Sequence, residues 1–170
     1  GDMVRRVPGV DPERCERLLR ILDIDEDWSM ARVSDGQRRQ VQICMGLLRP
    51  YQVLLLDEIT VDLDLVGRLD LLEFFRQEGE ERGATVIYAT HIFDGLDGWA
   101  THLVYVGDRK FQRAGEVGAI QDLAGRRLLP TVESWLRESR KEAQEREREQ
   151  GSGTQMMEPS VPSFPSRHMA

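Results

Sequence analysis

The chain has 170 residues, of which 40% are hydrophobic and 31% are charged, and these proportions are ordinary for one soluble globular domain. Its formal net charge of -7 argues against general nucleic-acid binding, because binding to phosphates needs a surplus of Lys and Arg on one face. We therefore expect no nucleic-acid partner.

No apolar run approaches the roughly 18 residues that suggest a membrane span, so no direct span is expected. No signal peptide opens the sequence. Cys15 and Cys44 fit no metal-ligand or redox spacing, and we expect them to be reduced thiols in the core. These features predict a cytoplasmic protein, with the nucleus as the alternative.

The amino-terminal part of the chain predicts two amphipathic helices. Asp11 can cap a helix that has Pro12 at its first position, and apolar residues then recur at helical spacing as far as Leu22. After an acidic connector, a second helix is predicted over residues 34–48, and Pro50 stops its pattern.

The centre of the chain predicts a strand, a helix and a second strand. Residues 53–56 are continuously apolar, which favours a strand covered on both faces of a parallel sheet. A helical stripe from Leu65 to Phe75 runs toward Gly83, and residues 84–89 predict a second buried strand. A right-handed crossover would place both strands in one parallel sheet, with their carboxyl ends on the side where open α/β sheets usually bind ligands.

The rest of the chain predicts smaller elements. A strand pair is expected within residues 103–113 and a short helix around 116–124. Residues 131–150 predict a solvated helix, because acids and bases alternate between Arg137 and Glu149, whereas 151–170 lack periodicity and predict a disordered tail. The expected organisation is one domain over residues 1–130, then the charged helix, then the tail.

Four short motifs follow one another between residues 33 and 91. They are Val33-Ser34-Asp35-Gly36-Gln37 at the second helix, Val53-Leu54-Leu55-Leu56-Asp57-Glu58 along the first strand, Val61-Asp62-Leu63-Asp64 before the third helix, and Thr90-His91 after the second strand. Because the two parallel strands end on the same side, we expect Asp57, Glu58 and His91 to meet in one crevice. The helix start suits a phosphate, although taken alone it is equally a capping sequence.

This order of motifs resembles the carboxyl-terminal half of an ABC-type ATPase nucleotide-binding domain. Residues 33–41 and 88–96 are similar to soluble ABC ATPases of the plant I subfamily, and the resemblance covers about residues 10–125. It implies an α/β fold that is part of a P-loop NTPase domain, with a parallel sheet, a signature-bearing helical part and a helical extension. The Gly-x-x-x-x-Gly-Lys-[Ser/Thr] loop of the first half has no match. The chain opens with Gly1, which is compatible with an upstream half that carries this loop.

The resemblance also implies roles at the two strand ends, with ATP and Mg²⁺ as cofactors. Asp57 corresponds to the carboxylate that holds Mg²⁺, often through water. Glu58 corresponds to the catalytic base. His91 corresponds to the switch histidine, which contacts the γ-phosphate and helps to place the attacking water.

Further roles follow from the resemblance at the two helix starts. Ser34, Gly36 and Gln37 correspond to signature residues that close on the γ-phosphate held by the opposite subunit. Asp64 corresponds to the D-loop, which couples the two sites across the subunit interface. Asp35 departs from the glycine that the family usually has, and either lowers phosphate affinity or points away.

The implied function is Mg-dependent ATP hydrolysis between two ABC ATPase subunits or domains, with a membrane or regulatory protein as a further candidate partner. Without the phosphate loop, the chain alone is expected to be inactive. One alternative is a non-catalytic interaction module with a degenerate ABC fold. Another is the carboxyl lobe of a chromosome-maintenance or repair ATPase, which needs an upstream heptad segment that the first ten residues do not contain.

Overall fold

A computed structural model describes residue 4 and residues 7–107 and 109–152, although the side chains of residues 147 and 149–152 lie outside the description. Backbone contacts divide the chain into two compact units, Gly1–Thr101 and His102–Ala170. The first unit contains α1 (Pro12–Ile21), α2 (Asp35–Leu47), β1 (Val53–Asp57), α3 (Leu65–Arg82) and β2 (Thr85–Ala89). The predicted division at residue 130 stays a prediction.

The three helices of the first unit begin at side-chain caps that the sequence contains. Asp11 accepts the Glu13 N–H at 3.1 Å, and Pro12 occupies the first helical position of α1. Capping by Ser34 and Asp64 starts α2 and α3, and Gly83 ends α3 with a left-handed φ of 68°. The predicted helices are therefore confirmed within one or two residues of their expected ends.

The core of the first unit lies where these helices face one side of the sheet. Cys15 and Cys44 are buried, reduced cysteines in it, as predicted, and burial raises the pKa of Cys44 to about 12. The buried Arg14 Nη1 lies 2.6 Å from Glu78 Oε1 and ties α1 to α3. The largest apolar side chains that fill this core are Leu18, Leu22, Leu48, Leu71, Phe74 and Phe75.

The two strands of the first unit are parallel neighbours, as predicted. Asp57 pairs with Ala89 at the carboxyl end of the register, and Val53 pairs with Thr85 at the other end. Since α3 connects β1 to β2, both carboxyl ends lie at the same edge of the sheet. This arrangement brings the segment after Asp57 next to the segment after Ala89.

The expectation that both faces of these strands are covered was wrong. Side chains alternate between the two faces of a strand, and only one face packs on the helices. On the other face Val53, Leu55 and Ile87 are 60%, 72% and 54% exposed. A continuous apolar run is compatible with cover on both faces, but the cover itself has to come from other elements, and no described residue supplies it here.

In its described residues, the second unit contains a hairpin, two short turns and a long helix. β3 (His102–Gly107) pairs antiparallel with β4 (Lys110–Glu116), as predicted. The expected helix around 116–124 is instead two 3₁₀ turns, Val117–Ala119 and Gln121–Leu123, on either side of an extended Ile120. The charged helix is present as α4.

The long helix α4 spans Leu128–Ser152 and therefore enters the segment predicted as a tail. Residues 153–170 of that predicted tail lie outside the described residues. Tyr105 and Arg113 from the hairpin contact Trp135 of α4, at 5.3 Å between ring centroids and 4.7 Å from guanidinium carbon to ring centroid. Across the described ranges, no helix is long and apolar enough to cross a membrane.

Candidate functional site

Glu58 has an unusual backbone conformation at the end of β1. Its φ is 47°, a left-handed value that costs a residue with a Cβ roughly 1–2 kcal/mol. Its N–H donates to the Ala89 carbonyl at 3.0 Å and so continues the parallel pairing by one residue. Because such a conformation persists only where the surroundings enforce it, the turn after β1 is a strained segment next to the end of β2.

The left-handed turn places the Glu58 carboxylate against His91. Glu58 Oε1 lies 2.7 Å from His91 Nδ1, and the Thr90 hydroxyl donates to Glu58 Oε2 at 3.4 Å. The same Thr90 hydroxyl accepts the Ile92 N–H at 3.0 Å, which fixes the segment after β2. The two side chains remain open to solvent, with 36% of Glu58 and 73% of His91 exposed. A carboxylate held in this way can accept a proton from a water molecule, and the imidazole can orient that water or an anion.

Asp57 lies beside this pair but is not joined to it. Its side chain is exposed and lies on the same sheet face as Leu55, whereas the left-handed turn at Glu58 directs the next carboxylate toward His91. No described hydrogen bond or ion pair connects Asp57 with Glu58 or His91. The three side chains thus share one edge of the sheet, and two of them are in contact.

The start of α2 is organised by a capping box. The Ser34 Oγ accepts the Gln37 N–H at 3.2 Å, and the Gln37 Oε1 accepts the Ser34 N–H at 2.9 Å. Each side chain uses an acceptor oxygen in this exchange. The Ser34 hydroxyl hydrogen and the Gln37 amide hydrogens can therefore still be donated to an anion at the helix start.

No contact within the described chain requires residue 36 to be a glycine. A Cβ added there would meet only Ser34 Oγ, at the ordinary contact distance of 3.9 Å, and its φ is not left-handed. Asp35 beside it is 99% exposed and lies 3.7 Å from Arg38, so its carboxylate points away into solvent.

Asp64 caps α3. Its Oδ1 accepts the Gly67 N–H at 2.7 Å, and a Cβ on Gly67 would approach that oxygen at 3.2 Å. This contact gives Asp64 a structural role of its own. No described hydrogen bond or ion pair joins Asp64 or the start of α2 to Glu58 and His91.

Sequence patterns did not single out three hydroxyl groups near Glu58. Thr90 was part of a motif but had no assigned role, although it contacts the carboxylate. Thr60 is fully buried in the turn after Glu58, and its Oγ1 lies 2.6 Å from the hydroxyl of Tyr88 on β2. The sequence shows these hydroxyl-bearing residues but not that Thr60 and Tyr88 lie in contact.

The chain is similar in sequence to known proteins. ABC transporter I family member 20 of Arabidopsis thaliana is 53% identical over 165 residues, which are 97% of this chain and 48% of that protein. Member 21 of the same family and plant is 56% identical over 140 residues, which are 82% of this chain and 50% of that protein. The chain spans about half the length of these curated relatives.

The fold is similar to that of solved ATPase cassettes. One of them, an ATP-binding cassette solved as a dimer in a post-hydrolysis state with ADP and Pi, has a TM-score of 0.52 at 22% identity and covers 61% of this chain and 46% of its own. No protein-family model matches the chain. By sequence and by fold, the chain belongs to the ABC-type ATPases and forms part of their nucleotide-binding domain.

Proposed function

We propose that the protein of which this chain is part hydrolyses ATP at an interface between two ABC ATPase subunits or domains. The observation that carries the proposal is the 2.7 Å contact between Glu58 and His91 at the carboxyl ends of two parallel strands. This contact joins a proton acceptor to a group that can orient an anion, next to a second carboxylate. Such groups can position and deprotonate the water that attacks a phosphoanhydride.

In this proposal the residues at the strand ends have separate tasks. Glu58 accepts a proton from the attacking water as it approaches the γ-phosphorus in line with the leaving oxygen. As the imidazolium, His91 donates one hydrogen bond to the γ-phosphate and, through Nδ1, a second one that keeps the carboxylate of Glu58 in place. Asp57 fits Mg²⁺ because it is an exposed carboxylate, and this ion keeps much of its water shell and takes its other ligands from nucleotide phosphates. The ion neutralises charge on the phosphates when bound.

The start of α2 is proposed to act on the nucleotide of the opposite subunit. Ser34 and Gln37 would donate hydrogen bonds to the γ-phosphate, and the missing side chain of Gly36 would let the backbone approach it. Asp64 would contribute at the same interface beyond its role as a cap. The dimeric state of the solved cassette with ADP and Pi supports a second subunit as the partner.

This chain by itself is proposed to be inactive. It contains no Gly-x-x-x-x-Gly-Lys-[Ser/Thr] sequence for the phosphates, and it spans about half the length of the plant relatives. The activity therefore belongs to the full-length protein. A cytoplasmic or nuclear setting and a membrane or regulatory partner remain proposals of the same kind.

Glu58→Gln tests the proposal in the full-length protein. The substitution keeps the shape of the side chain and removes its ability to take a proton, so steady-state ATP hydrolysis should fall roughly 10²–10⁴-fold with little change in ATP affinity. Glu73→Gln is the matched control, because it removes the charge of a half-exposed carboxylate on α3. Unchanged turnover in Glu58→Gln would refute the proposed base.

A second candidate function is a non-catalytic interaction module. The unmatched phosphate loop and the Asp35 in the signature favour it. Equilibrium binding of a fluorescent ATP analogue to the full-length protein separates the two candidates. Micromolar or tighter binding that depends on Mg²⁺ supports the ATPase, and no binding supports the module.

A further inference from the structure

The hydroxyl pair of Thr60 and Tyr88 is the best-defined polar contact next to Glu58. Thr60 is 0% exposed, and its Oγ1 lies 2.6 Å from the Tyr88 hydroxyl. A buried hydroxyl that has lost water needs such a partner, so removal of either group alone should destabilise the turn. The contact therefore links the turn after β1 to the neighbouring strand β2.

The position of this contact relates it to the strained backbone of Glu58. Thr60 follows Glu58 by two residues, and Tyr88 is one residue before Ala89 on β2. The turn is thus attached to β2 on both sides of the left-handed φ, by the Glu58 N–H to the Ala89 carbonyl and by the hydroxyl pair. Backbone in a sparsely populated conformation needs such attachment on both sides, because it otherwise relaxes.

Tyr88 is itself held from the side of α3. Its ring makes an edge contact with Trp99, with 6.3 Å between the ring centroids and 81° between the ring planes. The Trp99 indole N–H donates to the Leu72 carbonyl of α3 at 2.8 Å. The position of the Tyr88 hydroxyl is therefore set by the helix that connects the two strands.

We propose that Tyr88 and Thr60 are positioning residues for Glu58. Their hydroxyl contact keeps Glu58 left-handed, and this conformation directs the carboxylate to His91. The inference rests on the proposed role of Glu58 in ATP hydrolysis, but the geometry it describes can be measured without that activity.

The test uses Tyr88→Phe, Thr60→Val and the double variant in the full-length protein. Each single variant leaves the other hydroxyl without its partner, the fully buried one of Thr60 or the part-buried one of Tyr88, and should lower the denaturation midpoint. The double variant removes both hydroxyls and should recover most of the lost stability. If the pair positions Glu58, turnover in the double variant stays about 10- to 100-fold below wild type with an unchanged KM for ATP, since small misplacements of a catalytic group have effects of this size.

Histidine-selective NMR supplies a readout that does not depend on turnover. The Glu58→Gln variant defines the His91 imidazole signal when the carboxylate contact is altered, and the double variant should move the His91 signal toward that reference. Tyr51→Phe is the control for loss of a buried tyrosine hydroxyl outside the turn, and it should leave both turnover and the His91 signal at wild-type values.

The outcomes are distinct. A double variant with recovered stability, low turnover and a shifted His91 signal supports positioning. A double variant with wild-type turnover and a wild-type His91 signal overturns it, because the pair then only fills the core. If Glu58→Gln hydrolyses ATP normally, the proposed function fails, and the His91 signal alone still decides whether the hydroxyl pair orients Glu58.

Discussion

The start of α2 and the carboxyl ends of β1 and β2 present their polar groups in opposite ways. At the helix start, Ser34 and Gln37 satisfy each other over a few residues, and no strained backbone is needed. At the strand ends, Glu58 and His91 meet only because two distant segments are paired, and Glu58 adopts a left-handed conformation. The helix start is formed by residues that are close in sequence, whereas the strand ends meet because β1 pairs with β2. Substitutions should therefore affect stability and ATP turnover to different degrees in the two regions.

The largest expected difference concerns the strained residue. Glu58→Gly should be more stable than Glu58→Ala by about 1–2 kcal/mol, because glycine has no Cβ to oppose a left-handed φ. Urea denaturation of the two variants under identical conditions measures this difference. Equal stabilities, or a more stable alanine variant, would show that residue 58 is not held left-handed in solution.

The helix start should respond to its cap. Ser34→Ala should lower the free energy of unfolding by about 1 kcal/mol, because the Gln37 N–H loses its acceptor, whereas Ser34→Asn should cost only a few tenths. Both variants should lower ATP turnover, since neither provides the serine hydroxyl. Chemical denaturation and turnover are measured on the same preparations. Normal turnover in Ser34→Asn would show that Ser34 acts only as a helix cap.

Gly36 should show the smallest change in stability. Gly36→Ala is expected to raise the free energy of unfolding by about 0.5 kcal/mol, because alanine favours the helix and meets only ordinary contacts. ATP turnover should nevertheless fall. Gly46→Ala is the matched control, since Gly46 lies in the same helix with open space around it and has no proposed role. Equal turnover in the two variants would remove Gly36 from the proposed site.

Sequence patterns predicted well what depends on nearby residues. The caps Asp11 and Ser34 and the terminal Gly83 marked helix ends, because capping is an interaction over a few positions, whereas Asp64 was assigned to the D-loop and its capping of α3 came from the structure. The parallel pairing of the two strands also followed from the pattern. Because parallel neighbouring strands end on the same side, the pattern also predicted that both strand ends lie at one edge of the sheet.

The failures concern what depends on the rest of the fold. Whether the second face of β1 is covered depends on elements that pack against it, and Leu55 is exposed although its neighbours in sequence are apolar. The left-handed φ of Glu58 and the bond between Thr60 and Tyr88 depend on the exact approach of two segments. Neither has a local sequence signal, so both required the structure. The assigned roles of the site residues stay predictions.

We propose that the start of α2 and the carboxyl ends of β1 and β2 act on a single nucleotide from opposite subunits. A mixed dimer tests it, with Gly36→Asp in one tagged subunit and Glu58→Gln in a differently tagged subunit, purified through both tags. Each homodimer should be inactive, and the mixed dimer should retain one intact site and about half of the wild-type turnover. A mixed dimer no more active than the two homodimers would contradict the claim, because the helix start and the strand ends would then serve the same subunit.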